Sequence, residues 1–212
     1  MSAASTKERQ TPEQVLKSVG AWLTGHFLFT SGLHGSDYMQ CQRVLQYPRY
    51  GLSLAEQLVE SLIEKNLIPD TVVGPALGAI HWEVLVATAL DQAFPDRAPT
   101  RGIFAERVTD DAGDQNAFAI RRGLELAPRE KVLVVEDVTT TGGSARKVVE
   151  LVRRLGADPI AVGAIIDRSG SKIDFGIPFV KLITLDLPAY KESECPMCAA
   201  GTKAVKPGSS KQ

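Results

Sequence analysis

The stretch from Lys131 to Gly156 reads KVLVVEDVTTTGGSARKVVELVRRLG, and no other part of the chain limits the fold so tightly. Lys131 to Val135 is an apolar run of strand length. Val148, Leu151, Val152 and Leu155 then recur at i, i+3, i+4 and i+7, the period of an amphipathic helix, and Gly156 is a helix stop. The order strand, glycine turn, helix repeats at Thr71 to Pro75, GPALGA and Ile80 to Leu90. Strands alternating with helices predict an α/β fold with a central parallel sheet, helices on both faces and a ligand site at the carboxyl ends of the strands.

The flanking segments fit one domain. Thr11, Pro12 and Glu13 supply an N-cap, an N1 proline and an acidic first turn, predicting a helix to about Leu23 that Gly25 ends. Phe27 to Thr30 reads as a short strand, with a second extended piece around Tyr38 to Arg43, and Pro48 marks the next helix start. Leu54, Leu58 and Leu62 lie on one face of a helix from Gly51 to Lys65. Arg101 to Arg107 and Phe118 to Arg122 read as extended pieces around a polar loop, VTDDAGDQNA, and Ile160 to Asp167 and Val180 to Leu185 as buried strands. Residues 1–10 are expected to be disordered, 11–190 to form the domain, and 191–212 to be a loose tail.

Composition removes several function classes. A net charge of -1 leaves no basic footprint for nucleic acid. The first residues lack an apolar signal region, and the greasiest stretch, Trp82 to Leu90, contains Glu83 and is too short to span a bilayer. A cytoplasmic protein with no membrane partner is expected. Of three cysteines, Cys195 and Cys198 have zinc-knuckle spacing, but no second pair follows. Cys41 and His34 would complete a site only through a coincidence of folding, so no metal-ligating residue is assigned.

Glu136 and Asp137 follow directly on Val132 to Val135, which places them at a strand's carboxyl end. Thr140, Thr141, Gly142, Gly143 and Ser144 then lead into the helix, whose first N–H groups and positive dipole end suit a phosphate. The lysine of GxxxxGK[ST] is missing, as is GxGxxG, so neither a P-loop nor a dinucleotide fingerprint is present. Paired carboxylates accept hydrogen bonds from vicinal sugar hydroxyls. A phosphate cradle beside a diol acceptor reads as a ribose 5-phosphate site.

The segment VLVVEDVTTTGGS resembles the phosphoribosyl-diphosphate signature of the type I phosphoribosyltransferases, and the wider chain is similar to their orotate branch. The likeness continues in GHFLFTSGLHGSDYMQC, VVGPALGAIHWEV, FAER, IRRGLEL and IIDRSG, from about Gly20 to Gly170. It implies a type I phosphoribosyltransferase-like fold with a small N-terminal hood at about 11–47. It also implies Mg²⁺-dependent transfer of a phosphoribosyl group to orotate in pyrimidine synthesis, in a homodimer that shares a loop across subunits.

Residue by residue, the resemblance implies that Glu136 and Asp137 hold the ribose hydroxyls, with Val138, Thr139 and Thr140 to Ser144 around the 5-phosphate. Pro75, Ala76, Leu77, Gly78 and Ala79 would face the diphosphate, joined by Thr30, Ser31 and Arg107. Thr140, Arg168, Ser31, Gly32 and His34 would line the orotate side. Three departures stand out: Gly35 where the family usually has Ser, Ala79 where many relatives have Gly, and no Lys, Arg or His from Val108 to Ile120. The last leaves open a phosphoribosyltransferase for another base, or a non-catalytic regulator that binds phosphoribosyl diphosphate.

Overall fold

The structure is a computed structural model that describes residues 9–29, 31–109 and 113–206. A capping box at Thr11 and Gln14 opens helix α1 (Pro12–Ser18). The chain then forms a two-stranded antiparallel hairpin, β1 (Trp22–Leu28) and β2 (His34–Met39). The expected helix to Leu23 is shorter because Gly20, at φ 65°, turns the chain out of it. Gly25 lies inside β1, where the register shifts between Thr24 and Phe27. Such a bulge supplies an extra residue and re-aims side chains.

Helices α2 (Gln42–Leu45) and α3 (Pro48–Glu64) precede the central sheet. That sheet has six strands in the order β5 (Ala117–Ala119), β4 (Arg101–Val108), β3 (Thr71–Pro75), β6 (Lys131–Thr139), β7 (Asp158–Asp167) and β8 (Phe179–Thr184). Five strands run parallel, and β5 returns antiparallel along β4. The sheet is therefore mixed where a parallel one is expected from the strand–helix alternation. Its antiparallel edge is β5, which pairs Ala117 to Ala119 with Glu106 to Val108.

Two apolar clusters cover the faces. On one, α3 and α4 (Ile80–Ala93) pack Leu54, Leu58, Leu62, Trp82 and Leu90 against Leu133, Val135 and Ile165. On the other, α5 (Gly143–Arg154) packs Val148, Leu151 and Val152 against Val73, Val132, Val134 and Val162. Alternating residues of β6 thus go to opposite clusters, as the strand period requires. Gly163 lets α3 approach β7, since a Cβ there would sit 3.0 Å from a methyl of Leu58.

The segment after Glu192 is not loose throughout. A 3-10 turn (Glu192–Glu194) and α6 (Pro196–Ala199) fold it against the hairpin, where Tyr190 bridges His34 and Val205 bridges Phe27. No helix among the described residues is long and apolar enough to cross a membrane.

Leu58 is fully buried between α3 and the sheet. Leu58→Ala should lower unfolding stability by about 2–5 kcal/mol through lost transfer energy and a residual cavity, as measured by urea denaturation.

Candidate active site

The strand ends place the site. Glu136 and Asp137 lie half-buried in the last part of β6, which runs past the expected end at Val135 to Thr139, and Asp137 accepts the Val138 N–H at 2.7 Å. Beyond them Gly142 caps α5 at φ 74°, a left-handed conformation that a side chain disfavours. A Cβ there would also press within 3.0 Å of Ile173 and the Phe175 ring. No side chain caps α5, so its first-turn N–H groups face the pocket lined by Glu136 and Val138 to Ala145. Thr140 and Thr141 are exposed on the rim. Thr139 is buried, and its hydroxyl has no protein partner.

The second glycine turn lies next to this pocket. Pro75 ends β3 and the peptide between Ala76 and Leu77 is cis. Gly78 comes so close to Asp137 that a Cβ there would be 3.6 Å from Oδ1. Gln42 of α2 donates to the Gly78 carbonyl at 2.6 Å, holding the turn from outside. Ala79 is fully buried, and its Cβ would meet a Cβ at Gly74 at 3.0 Å. The missing side chain of Gly74 therefore makes room for the extra methyl of Ala79.

Arg168 follows β7, and its N–H donates to the Thr139 carbonyl at 2.8 Å, so it adjoins the cradle on the neighbouring strand. Its guanidinium stacks over the Phe29 ring at 5.2 Å, and its Nε is buried with no protein partner. The same ring explains Gly35, because a Cβ there would fall 2.5 Å from Phe29 Cζ. Phe29 occupies the volume that a serine would take.

Other residues named from the sequence divide. Ser31 and Gly32 form the exposed tip of the hairpin turn, which Gly32 makes at φ 80°. Thr30, Asp110 and Asp111 lie outside the described residues. His34 is not turned toward this pocket: its Nδ1 faces His26 and Cys198. Arg107 is exposed, stacks on Phe118 at 5.0 Å and donates to Asn116 at 2.7 Å. Its charge acts on Glu136 of its own chain. Lys147 of α5 reaches Asp114 at 2.7 Å, bringing a cation to a loop that has none. Gln42, Phe29 and Lys147 carry no sequence signal, since each acts through a contact between distant segments.

The description "Phosphoribosyl transferase domain" belongs to the family model that matches residues 50–191. The chain belongs to the phosphoribosyltransferase family. It is 44% identical over 197 residues to orotate phosphoribosyltransferase of Thermotoga maritima, spanning 93% of this chain and 97% of that one. Orotate phosphoribosyltransferase of Caldanaerobacter subterraneus is 41% identical over 96% of this chain and 99% of its own. Among solved structures, orotate phosphoribosyltransferase from Aeropyrum pernix superposes with a TM-score of 0.58 at 25% identity, covering 82% of this chain and 94% of that one. Adenine phosphoribosyltransferase of Saccharomyces cerevisiae shares the fold, with a TM-score of 0.59 at 19% identity over 80% of this chain and 99% of that one.

In this member of the family the paired carboxylates are electrostatically costly. Burial, and then the Asp137 charge, push Glu136 up to about 8, with Arg107 opposing. Burial also raises Asp137, against N–H donation from Val138 and its own backbone and from the Gln42 side chain. In the ligand-free protein, folded Glu136 keeps a proton that the unfolded chain loses near 4.5. Its contribution to stability is thus lost as pH rises from there to about 8. Glu136→Gln removes that dependence, so the Tm advantage of the variant should grow across this window and level off above it. Thermal unfolding in a pH series checks this, and an advantage that does not change with pH contradicts it.

Proposed function

We propose that the chain transfers the 5-phosphoribosyl group of phosphoribosyl diphosphate to orotate, giving orotidine 5-phosphate and diphosphate. The observation that carries this reading is the half-buried Glu136–Asp137 pair set between an uncapped helix N-terminus and the Gly78 turn. In the reaction, the bond between the anomeric carbon and the diphosphate oxygen breaks as the bond to orotate N1 forms. The electron pair leaves with diphosphate, and the N1 proton is lost to solvent.

Each part of the site has a task in that exchange. The α5 N–H groups with Thr140, Thr141 and Ser144 grip the 5-phosphate, fixing one end of the sugar. Glu136 and Asp137 accept hydrogen bonds from the ribose hydroxyls, and their negative charge favours a sugar ring that becomes cationic in the transition state. Pro75 to Ala79 and Arg107 face the leaving diphosphate, and Lys147 supplies the cation that the loop sequence lacks. Arg168 pairs with the orotate carboxylate or carbonyl edge, and its buried Nε without a protein partner fits that use. Ser31 and Gly32 close the orotate side from the hairpin tip.

The donor set suits Mg²⁺. Two adjacent carboxylates with raised proton affinity gain from a nearby cation, and Mg²⁺ prefers substrate phosphates with few protein ligands. Glu136 and Asp137 would hold it together with diphosphate oxygens. When bound, Mg²⁺ neutralises charge that develops on the leaving group. A cytoplasmic homodimer that lends a loop to its partner belongs to the same reading, on family likeness.

Orotate absorbance followed with phosphoribosyl diphosphate, with and without Mg²⁺, tests the proposal. Metal-dependent consumption is expected. Binding of phosphoribosyl diphosphate without turnover points instead to a regulator, and consumption of another base with orotate inert points to a different transferase. Asp137→Asn should lower kcat about 10²-fold or more while leaving the Tm within a few degrees. Unchanged turnover removes Asp137 from the mechanism.

A further inference from the structure

We infer that His26, His34, Cys195 and Cys198 form a tetrahedral site for a thiophilic divalent metal, Zn²⁺ foremost, that staples the C-terminal segment to the β1–β2 hairpin. The inference stands apart from the phosphoribosyl site and does not depend on it. The four donor atoms all lie within 4.8 Å of one another. The chain has only three histidines and three cysteines, so two of each converge at one point. All four lie outside the region that the family model matches, which ends at residue 191.

The edge lengths fit a tetrahedron. Zn–S of about 2.3 Å and Zn–N of about 2.0–2.1 Å imply N–S edges of about 3.5 Å and an N–N edge of about 3.3 Å. Three N–S edges measure 3.3, 3.5 and 3.7 Å. The His26 Nε2 to His34 Nδ1 edge, at 2.8 Å, must open by about 0.5 Å on loading.

Local structure places each ligand. Without the bulge after Thr24, His26 would sit opposite Gly35 and project from the other face of the hairpin from His34. The shift instead pairs Leu28 with His34, and the two-residue period returns His26 to the face of His34, ring centroids 4.9 Å apart. Cys195 precedes the first residue of α6, and Cys198 lies one helical turn on, so their thiols share a side. His26 Nδ1 faces the Thr202 carbonyl at 3.1 Å and its hydroxyl oxygen at 2.9 Å. That hydroxyl donates to the Met197 carbonyl at 2.7 Å, so toward the ring it accepts. Nδ1 therefore carries the hydrogen, and the Nε2 lone pair points at the thiols. Metal-bound histidines are oriented by such an outer partner.

The staple has a mechanical setting. The segment's backbone bonds to the hairpin on both sides of the cluster, through Tyr190 with His34 and Val205 with His26 and Leu28. The turn that begins at Phe29, whose ring supports Arg168, starts three residues after His26.

Elemental analysis of the full chain purified without chelator tests the site. About one zinc per chain is expected, with loss in Cys195→Ser/Cys198→Ser. A second readout covers failure of that variant to fold. The parent protein, stripped by chelator and titrated with Co²⁺, should develop tetrahedral thiolate–cobalt absorption that saturates at about one equivalent. Chelation should also speed tryptic cleavage after Lys191 and Lys203. Full metal content in a soluble double variant overturns the proposal. So does a parent protein that is metal-free as isolated and, with its thiols reduced, gives no such cobalt spectrum.

Discussion

The structure is organised around the cost of holding two carboxylates side by side at the half-buried end of β6. Desolvation and mutual repulsion lift the proton affinity of Glu136, and burial lifts that of Asp137. The surroundings offset only part of this: the Val138 N–H, the Gln42 amide and the Arg107 charge. A ligand with hydroxyl donors and a counter-cation would supply the rest. The pair is thus destabilising in the free protein and favourable in a complex, the kind of compromise that active sites make.

Nearby backbone features follow from that placement. Gly78 lies in van der Waals reach of Asp137, and Gly142 is glycine because its cap is left-handed and a Cβ there would press on Ile173 and Phe175. The α5 first turn stays uncapped, which would waste N–H donors in a purely structural helix. Together these features separate a ligand cradle from an ordinary helix start.

Most of the sheet was legible because its strands are short apolar runs punctuated by glycine. Thr71–Pro75 and the β6 start at Lys131 are read from sequence without error. The carboxylate pair and the cradle were legible too, being contiguous in sequence. The hairpin was legible only where Phe27 to Thr30 and Tyr38 to Arg43 overlap its strands. Its strands carry Thr24, Gly25, His26, Ser36 and Asp37, whose polarity reads as loop, and the bulge breaks the alternation that would reveal β1. The family resemblance implies a pocket role for His34, whereas a strand face, set by the bulge, turns it toward Cys198. For the cysteines, spacing gave half of a ligand set. The other half is His26 with His34, and Cys41 takes no part: its thiol lies 4.0 Å from the Asp137 carbonyl under the site.

The hydrogen bond from the Arg168 N–H to the Thr139 carbonyl has a further consequence. The cradle begins at Thr140, just past the end of β6, and Arg168 stands just past the end of β7. Their separation is therefore a property of the β6–β7 ladder and not of any side chain. Such a frame works as a gauge of length: it fixes how far apart a ligand's phosphate and ring can lie. Which ring is accepted is left to Phe29, Arg168 and their neighbours. Specificity for the ring can then drift by substitution while the grip on the phosphate stays unchanged.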